Sequence, residues 1–204
     1  MRVRRLAILL SNLAPHPCND VELEQYSTDG DLAARWLTDI TAFGDLSGGC
    51  TVADLGAGNG VLGLGALVMG AGRTILVEAD QAACDVAKSN AESMGFADSV
   101  EVIQASLGSD PFNLGSADVL ISNPPWGRQT PRADRPFLET MIAAETPAHL
   151  LHSAEATHIQ ALFEDAGWST ERYGEADFAL PVAYSHHSRQ RGRTRAAFWR
   201  LSPP

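Results

Sequence analysis

The chain has 204 residues, of which 45% are hydrophobic and 20% charged, so it can bury the core of one domain and does not have a disordered composition. The formal net charge of -10 argues against a uniformly basic nucleic-acid binder. The three cysteines, Cys18, Cys50 and Cys84, are too widely spaced for a disulfide framework and have no partner at metal-ligand spacing, so we expect no metal site.

Hydrophobic periodicity predicts two helices at the N-terminus. The first has apolar positions at helical spacing within residues 6–13 and is ended by Pro15. The second begins with Thr28 as its N-cap and ends near Gly44. No apolar run approaches the ~18 residues of a membrane span or the apolar core of a secretory signal. We therefore expect a cytoplasmic protein without membrane attachment.

From residue 51 onward, strands alternate with helices. Strands are predicted at residues 51–55, 73–77, 100–103, 118–122, 148–152, 168–173 and 196–201, and helices at residues 61–69, 81–94, 137–145 and 154–166. This alternation indicates a parallel, doubly wound α/β sheet of seven strands with helices on both faces. We expect a single domain over residues 1–204, in which residues 1–44 are a helical extension and residues 45–204 the α/β core.

Polar and glycine residues follow the predicted strands where ligands bind in such sheets, beyond the carboxyl ends and where the strand order reverses. The first strand runs into the turn Asp54-Leu55-Gly56-Ala57-Gly58-Asn59-Gly60, whose glycines would let the backbone approach a ligand closely. A G-x-G-x-x-G dinucleotide fingerprint can also be read from Gly58, although it starts two residues late. The turn predicts a nucleotide-type cofactor, with a purely structural turn as the alternative.

Glu78 ends the second strand, 22 residues after Gly56. A ribose-binding carboxylate belongs at this place for both nicotinamide and S-adenosylmethionine cofactors. The residue therefore predicts a ribose without choosing between the two cofactors.

The fourth strand ends in Asn123-Pro124-Pro125-Trp126-Gly127. Proline cannot donate to a sheet ladder, so the two prolines end the strand and stiffen the turn. The amide oxygen of Asn123 and nearby carbonyls could then accept from a planar exocyclic amine that stacks on Trp126. Such an amine is a poor nucleophile until it is positioned, so the motif favours methyl transfer to a planar nitrogen.

Together these motifs resemble the methyltransferase-like protein five family of class I S-adenosylmethionine-dependent enzymes. The family pattern appears in order along the chain: Leu23-Glu24-Gln25-Tyr26-Ser27-Thr28, the glycine turn, Asn123-Pro124-Pro125-Trp126, Leu150-Leu151-His152-Ser153 and Leu180-Pro181-Val182-Ala183-Tyr184. The resemblance implies a Rossmann-like class I methyltransferase fold. It also implies S-adenosylmethionine as cofactor and N6 of an adenosine in small-subunit ribosomal RNA as target.

The resemblance also assigns roles to residues. Residues 1–44 would supply a lid over the cofactor, and the catalytic residues would be Asn123, Pro124, Pro125 and Trp126. The implied cofactor-binding residues are Gln25, Tyr26, Thr28, Asp54, Gly56, Gly58, Asn59, Leu62, Glu78, Ala79, Ser106 and Asn123. The sequence departs from the family in two places, with Trp126 where a phenylalanine is usual and Ser106 where an acidic residue is common.

The C-terminal part carries a local basic run on an acidic chain. Residues 186–204 contain five arginines and no acidic residue, and arginine binds phosphate bidentately. We expect RNA to contact Tyr184, His186, His187, Arg189, Arg191, Arg193 and Arg195. A solvated charged face is the alternative, and Trp36, Trp168 and Trp199 are expected in the core.

Other functions and one partner stay open. The same Asn-Pro-Pro-aromatic motif serves methylation of guanine N2 and of a glutamine side chain in proteins. A nicotinamide-dependent oxidoreductase or a non-enzymatic RNA-binding protein are more distant alternatives. The resemblance also implies a small zinc-ribbon activator, which would add to an exposed sheet edge at residues 100–103.

Overall fold

A computed structural model describes residues 1–17, 28–179 and 193–204. The strands are β1 (Thr51–Leu55), β2 (Arg73–Glu78), β3 (Val100–Gln104), β4 (Val119–Ser122), β5 (Ala148–Ser153), β6 (Ser169–Ala179) and β7 (Arg193–Ser202). The helices are α1 (Val3–Ser11), α2 (Gly30–Ala42), α3 (Val61–Met69), α4 (Gln81–Ser93), α5 (Arg135–Ala144) and α6 (His158–Asp165), with a 3-10 turn at Ala97–Ser99.

All seven strands form one sheet in the order β3-β2-β1-β4-β5-β7-β6, which confirms the predicted doubly wound α/β sheet. The expectation of a wholly parallel sheet is wrong, because β7 is antiparallel to both β5 and β6. Parallel neighbours need a crossover, usually a helix, and no helix lies between β6 and β7 in the described part of the chain. The strand order reverses between β1 and β4, because β2 and β3 lie on one side of β1 and the later strands on the other.

Several element boundaries differ from the prediction, among them those of α2, α6 and β6. The N-cap of α2 is Asp29, whose Oδ1 accepts from the backbone N–H of Leu32 at 2.8 Å, so Thr28 is free to bond elsewhere. Helix α6 begins at His158, because a turn follows β5. Strand β6 continues to Ala179 through a register shift between Arg172 and Gly174.

The core lies on both faces of the sheet. Helices α1, α2 and α3 pack with residues such as Val52 and Ile121 on one face, whereas residues of α5 and α6 pack with Leu55 and Leu120 on the other. The expected core tryptophans Trp36, Trp168 and Trp199 are all buried. Cys50 and Cys84 are buried free thiols, and Cys18 lies outside the described residues. None of the described helices has the length and apolarity needed to span a membrane.

Candidate active site

A cavity of about 350 Å³ opens at the carboxyl ends of β1 to β4, at the reversal of strand order where the sequence placed the site. Its volume is within the range of small-molecule sites. It is lined by His16, Thr28, Gly56, Ala57, Gly58, Asn59, Val61, Leu62, Val77, Glu78, Ala79, Ala105, Ser106, Leu107, Asn123, Pro125, Ala133, Pro136 and Phe137. Nine of the twelve predicted cofactor residues, namely Thr28, Gly56, Gly58, Asn59, Leu62, Glu78, Ala79, Ser106 and Asn123, are in this wall.

The glycine turn forms one side of the cavity with a backbone that side chains would disrupt. Gly56 and Gly58 have φ of 74° and 55°, which favours glycine. A Cβ on Gly56 would lie 2.7 Å from Cε1 of Phe137, and one on Gly58 would lie 3.3 Å from Cδ2 of His16. The absence of these side chains keeps room between the turn and the residues that face it.

Glu78 is held in place by the turn. Its Oε2 accepts from the backbone N–H of Gly58 at 2.9 Å, and its Oε1 accepts from that of Asp80 at 3.0 Å. A carboxylate oxygen has more than one lone pair, so these bonds orient the group and leave acceptors for ribose hydroxyls. This geometry fits the predicted role of Glu78.

Asp54 does not line the cavity as the prediction required. It is fully buried behind the turn, where its Oδ2 accepts from the backbone N–H of Gly63 at 2.9 Å in the first turn of α3. Its Oδ1 has no hydrogen-bond partner in the described part of the chain. Burial raises the pKa of this carboxyl to about 7. Asp54 therefore braces the glycine turn, and its contact with the cofactor stays a prediction.

Asn123 stands at the end of β4 with its amide fixed from both sides. Its Nδ2 donates to Oγ1 of Thr28 at 3.0 Å, and its Oδ1 accepts from the indole N–H of Trp126 at 3.2 Å. An indole nitrogen can only donate, so the amide oxygen must face Trp126. That oxygen has a second lone pair that can accept from a substrate amine.

Trp126 is not on the cavity wall, and only 8% of it is exposed. Its ring lies 4.6 Å from that of Phe178 and 6.1 Å from that of His152, centroid to centroid, and the guanidinium of Arg128 lies 5.8 Å from its centre. The prediction of an open stacking face therefore does not describe this arrangement. Stacking of a base would require Arg128, the exposed member of the three, to move aside.

Sequence reasoning expected residues 1–44 to cover the cofactor but missed two of the residues that shape this side of the site, His16 and Asn90. His16 lines the cavity, and the chain before it is tied to the glycine turn by Asn90 of α4. Asn90 Oδ1 accepts from the backbone N–H of Ala14 at 2.9 Å, and its Nδ2 donates to the carbonyl of Asn59 at 2.9 Å. The available signal was a polar residue on the apolar face of α4 beside Ala83, Ala87 and Ala91.

Two predicted cofactor-binding residues, Gln25 and Tyr26, lie outside the described residues. So do most of the predicted RNA-binding residues, namely Tyr184, His186, His187, Arg189 and Arg191. Arg193 is the first residue of β7, and Arg195 is an exposed residue of that strand whose guanidinium pairs with Glu175 at 2.6 Å.

Sequence analysis also missed a cluster of Asp134, His152 and His158, whose ligand-type atoms lie within 4.8 Å of one another.

The sheet order, the glycine turn and the Asn-Pro-Pro motif define a class I S-adenosylmethionine-dependent methyltransferase. Residues 31–163 match the Methyltransferase small domain family, and the chain belongs to this family. Across the full length of both chains it is 31% identical to the rRNA N(6)-adenosine-methyltransferase METTL5 of Danio rerio. It is 30% identical to an uncharacterized protein of Methanocaldococcus jannaschii, over 93% of this chain and 89% of that one.

Solved structures agree with this assignment. The chain superposes with a TM-score of 0.89 and 33% identity on a candidate RNA methyltransferase from Pyrococcus horikoshii, covering 100% of this chain and 98% of that one. A Thermoplasma acidophilum protein gives a TM-score of 0.71 at 26% identity with the same coverage. A ribosomal protein L11 methyltransferase of Pelotomaculum thermopropionicum is 44% identical, but over only 37% of this chain and 24% of that protein.

Proposed function

We propose that this methyltransferase transfers a methyl group to N6 of an adenosine in structured RNA, with small-subunit ribosomal RNA as the favoured substrate. The observation that carries the proposal is the amide of Asn123, held at the cavity edge with one acceptor lone pair still available. The Danio rerio relative is named an rRNA N(6)-adenosine methyltransferase, and so is a Drosophila melanogaster relative that is 26% identical over 98% of this chain.

The chemistry requires an oriented amine rather than a strong base. S-adenosylmethionine supplies an electrophilic methyl group on a sulfonium. The oxygen of Asn123 accepts from the N6 amine, which aims the nitrogen lone pair and favours the pyramidal geometry of attack. With S-adenosylmethionine bound, the nitrogen would take the methyl group as the carbon–sulfur bond breaks and would lose its surplus proton to water, so the chain would need no charged base.

The cavity walls divide between the parts of the cofactor. Glu78 would accept from the ribose hydroxyls, and the glycine turn would lie along the methionine part. Apolar Val77, Leu107 and Phe137 would contact the adenine ring. We propose that residues 1–44 complete this wall, since His16 and Thr28 already line it, and that Gln25 and Tyr26 close the predicted lid.

RNA binding is proposed for the basic residues near the aromatic motif. Arg128 is exposed, contacts the ring of Trp126 and donates to Oγ1 of Thr194 on β7 at 2.7 Å. Arg195 is exposed on the same strand. We propose that the guanidinium groups of Arg128 and Arg195 take part in RNA binding, and that the arginines of residues 186–193 add to them.

A zinc-ribbon activator remains a proposal for the outer edge of β3. Within the described residues this strand is the end of the sheet and pairs with β2 alone, so its outer backbone groups can accept a further strand. Val100, Val102 and Ile103 are half-buried there.

We also propose that the protein works in the cytoplasm, where ribosomal RNA is available.

The experiment offers the purified chain three methyl acceptors with labelled S-adenosylmethionine: protein-free small-subunit ribosomal RNA, large-subunit ribosomal RNA and a release-factor domain with a glutamine acceptor. The Asn123→Ala variant is the negative control. The proposal is supported if the parent labels small-subunit RNA and Asn123→Ala does not. Label confined to the protein acceptor would replace it with glutamine methylation.

A further inference from the structure

A buried His–Asp–His cluster stands directly behind the aromatic residue of the motif and is not used by the mechanism above. Asp134, at the start of α5, offers its Oδ2 to Nε2 of His152 on β5 at 3.1 Å and to Nε2 of His158 on α6 at 2.6 Å. The side chains of Asp134 and His152 are 6% and 1% exposed, whereas that of His158 is 49% exposed. The cluster therefore joins three elements through one carboxylate oxygen.

The carboxylate of Asp134 is the acceptor that both histidines of the cluster share. Burial by itself would raise the pKa of Asp134, but the hydrogen bonds from His152 and His158 lower it below its usual value. A carboxylate only accepts, so both Nε2 atoms donate to it. These bonds set the plane of the His152 ring.

The ring of His152 lies against the indole of Trp126, with an angle of 26° between the two planes. Trp126 in turn donates to Oδ1 of Asn123. Asp134 and Trp126 are also the two ends of the loop of residues 127–133, and the cluster anchors one end of that loop to β5. A direct chain of contacts therefore runs from the buried carboxylate to the amide that faces the substrate.

A metal site is the less favoured use of these three side chains. An imidazole that binds a metal through one nitrogen usually donates from the other, and Nδ1 of His152 is buried without a partner among the residues that the structure describes. The 2.6 Å between Asp134 and His158 is also a hydrogen-bond distance.

We infer that Asp134 and His152 are positioning residues for methyl transfer: Asp134 orients His152, His152 supports the indole of Trp126, and the indole N–H holds the amide of Asn123. The inference rests on the proposed function. The inference also gives Trp126 a specific role. Unlike the phenylalanine that is usual at this position, tryptophan has a ring N–H that can donate.

A double-mutant cycle of His152→Gln with Trp126→Phe tests the inference. His152→Gln loses the ring, and we expect kcat to fall about 10-fold with the affinity for S-adenosylmethionine within about 2-fold of the parent. In the Trp126→Phe background the N–H is already lost, so His152→Gln should lower kcat by less than about 2-fold. Asp134→Asn keeps an oxygen that can accept from His152 and should retain most of the parent's kcat.

His149→Gln is the matched control. His149 is on the same strand, is equally buried, and its Nε2 pairs with Asp45 at 2.9 Å. It is an odd number of residues from His152 and so faces the other side of the sheet. Its substitution should leave kcat within about 2-fold of the parent. Equal losses for His149→Gln and His152→Gln, or additive effects in the cycle, would overturn the inference.

Hydrogen exchange of the Trp126 indole N–H gives a readout that does not depend on activity. Its NMR signal is the one that Trp126→Phe removes. We expect slow exchange in the parent and in His149→Gln, and faster exchange in His152→Gln. Unchanged exchange in His152→Gln would contradict the inference even if the parent methylates no RNA, a result that would separately refute the proposed function. Parent activity that EDTA abolishes and Zn²⁺ restores would also overturn it, because the cluster would then be a metal site.

Discussion

In the proposed function Asn123 is a neutral acceptor for the substrate amine, and its hydrogen bonds to Thr28 and Trp126 fix which way the amide faces. Replacing it with alanine removes the acceptor of the substrate amine. We expect Asn123→Ala to lower kcat at least ~100-fold, the usual effect of losing a hydrogen-bond partner in the transition state. The affinity for S-adenosylmethionine should change little, because the amide of Asn123 is bonded to Thr28 and Trp126 and not to the glycine turn.

Thr28→Val is the matched control for that prediction. It removes the acceptor of Asn123 Nδ2 but leaves the catalytic oxygen bonded to Trp126. Its kcat should therefore fall less than that of Asn123→Ala in a cofactor-saturated single-turnover assay. Full activity of Asn123→Ala in the same assay would contradict the role of the amide.

The sequence predicted the site residues that belong to short motifs. It did not predict the contacts between residues that come together only when the chain folds. The glycine turn, Glu78 and Asn123 reach the cavity because each follows a strand that the hydrophobic pattern identifies. The burial of Trp126 depends on Phe178 and His152, which no local spacing connects to it. Asp54 fits the turn motif in sequence, yet its carboxylate points behind the turn to α3.

At the scale of elements, α4 connects the N-terminal segment to the glycine turn. Asn90→Ala removes the side chain that bonds both Ala14 and Asn59. Leaving such buried groups unpaired should lower the free energy of unfolding by about 1–3 kcal/mol. It should also weaken S-adenosylmethionine binding, because His16 and Asn59 line the cavity.

Ser93→Ala on the same helix is the control for Asn90→Ala. The hydroxyl of Ser93 donates only to the carbonyl of Asn90, within α4. Calorimetric titration with S-adenosylmethionine and urea unfolding measure the two effects. Weaker unfolding stability with unchanged affinity in Asn90→Ala would show that the N-terminal segment does not shape the cofactor site.

Strand β5 carries a second buried histidine that makes stability depend on pH. Burial lowers the pKa of His149 in the folded chain below its ordinary 6.5. Between pH 7.5 and 5.5 the unfolded chain therefore takes up a proton that the folded chain resists, and the free energy of unfolding falls as the pH falls. Asp54, with its pKa raised to about 7, acts in the opposite direction over part of this range.

The contribution of His149 to the pH dependence of stability is measured as the difference between the parent and His149→Gln. Glutamine at position 149 does not titrate, so the unfolding free energy of His149→Gln should fall less on acidification than that of the parent. Urea unfolding at pH 7.5 and 5.5 gives both values. Identical pH dependence in the two proteins would show that burial of His149 has no effect on its protonation.

The element pattern predicted the sheet but not its one reversed strand. Alternating apolar runs and helices specify seven strands, and all seven are present near the predicted positions. The direction of β7 depends on the path between β6 and β7, where the sequence shows no crossover helix. The cap of α2 was misplaced by one residue because Thr28 and Asp29 are both good N-cap residues, and the contact with Asn123 selects Thr28 for the site.

For the whole molecule, the distribution of charge matters more than its total. A net charge of -10 is screened beyond ~8 Å at physiological ionic strength, so we expect RNA to respond to the arginines near the site. Replacing Arg189, Arg191, Arg193 and Arg195 with alanine should lower the slope of log affinity against log salt by about 2 to 3 units, at ~0.7 per phosphate contact. The lower figure applies if Arg195 stays paired with Glu175.

Arg73→Ala serves as the control for the arginine variant. Arg73 pairs with Glu101 at 2.6 Å on the outer strands of the sheet, away from Asn123. Its substitution should leave the salt slope unchanged. Fluorescence anisotropy with labelled RNA over a range of salt measures both variants, and an unchanged slope in the quadruple variant would mean that RNA binds another surface.

The identity of the methylated nucleoside tests the central claim most directly. Small-subunit ribosomal RNA is incubated with the protein and S-adenosylmethionine carrying a deuterated methyl group, then digested to nucleosides and analysed by mass spectrometry. The account predicts deuterated N6-methyladenosine in the parent reaction and its loss with Asn123→Ala. Deuterated methyl on guanosine N2, or on no nucleoside, would contradict the claim that the Asn-Pro-Pro-Trp motif positions an adenine.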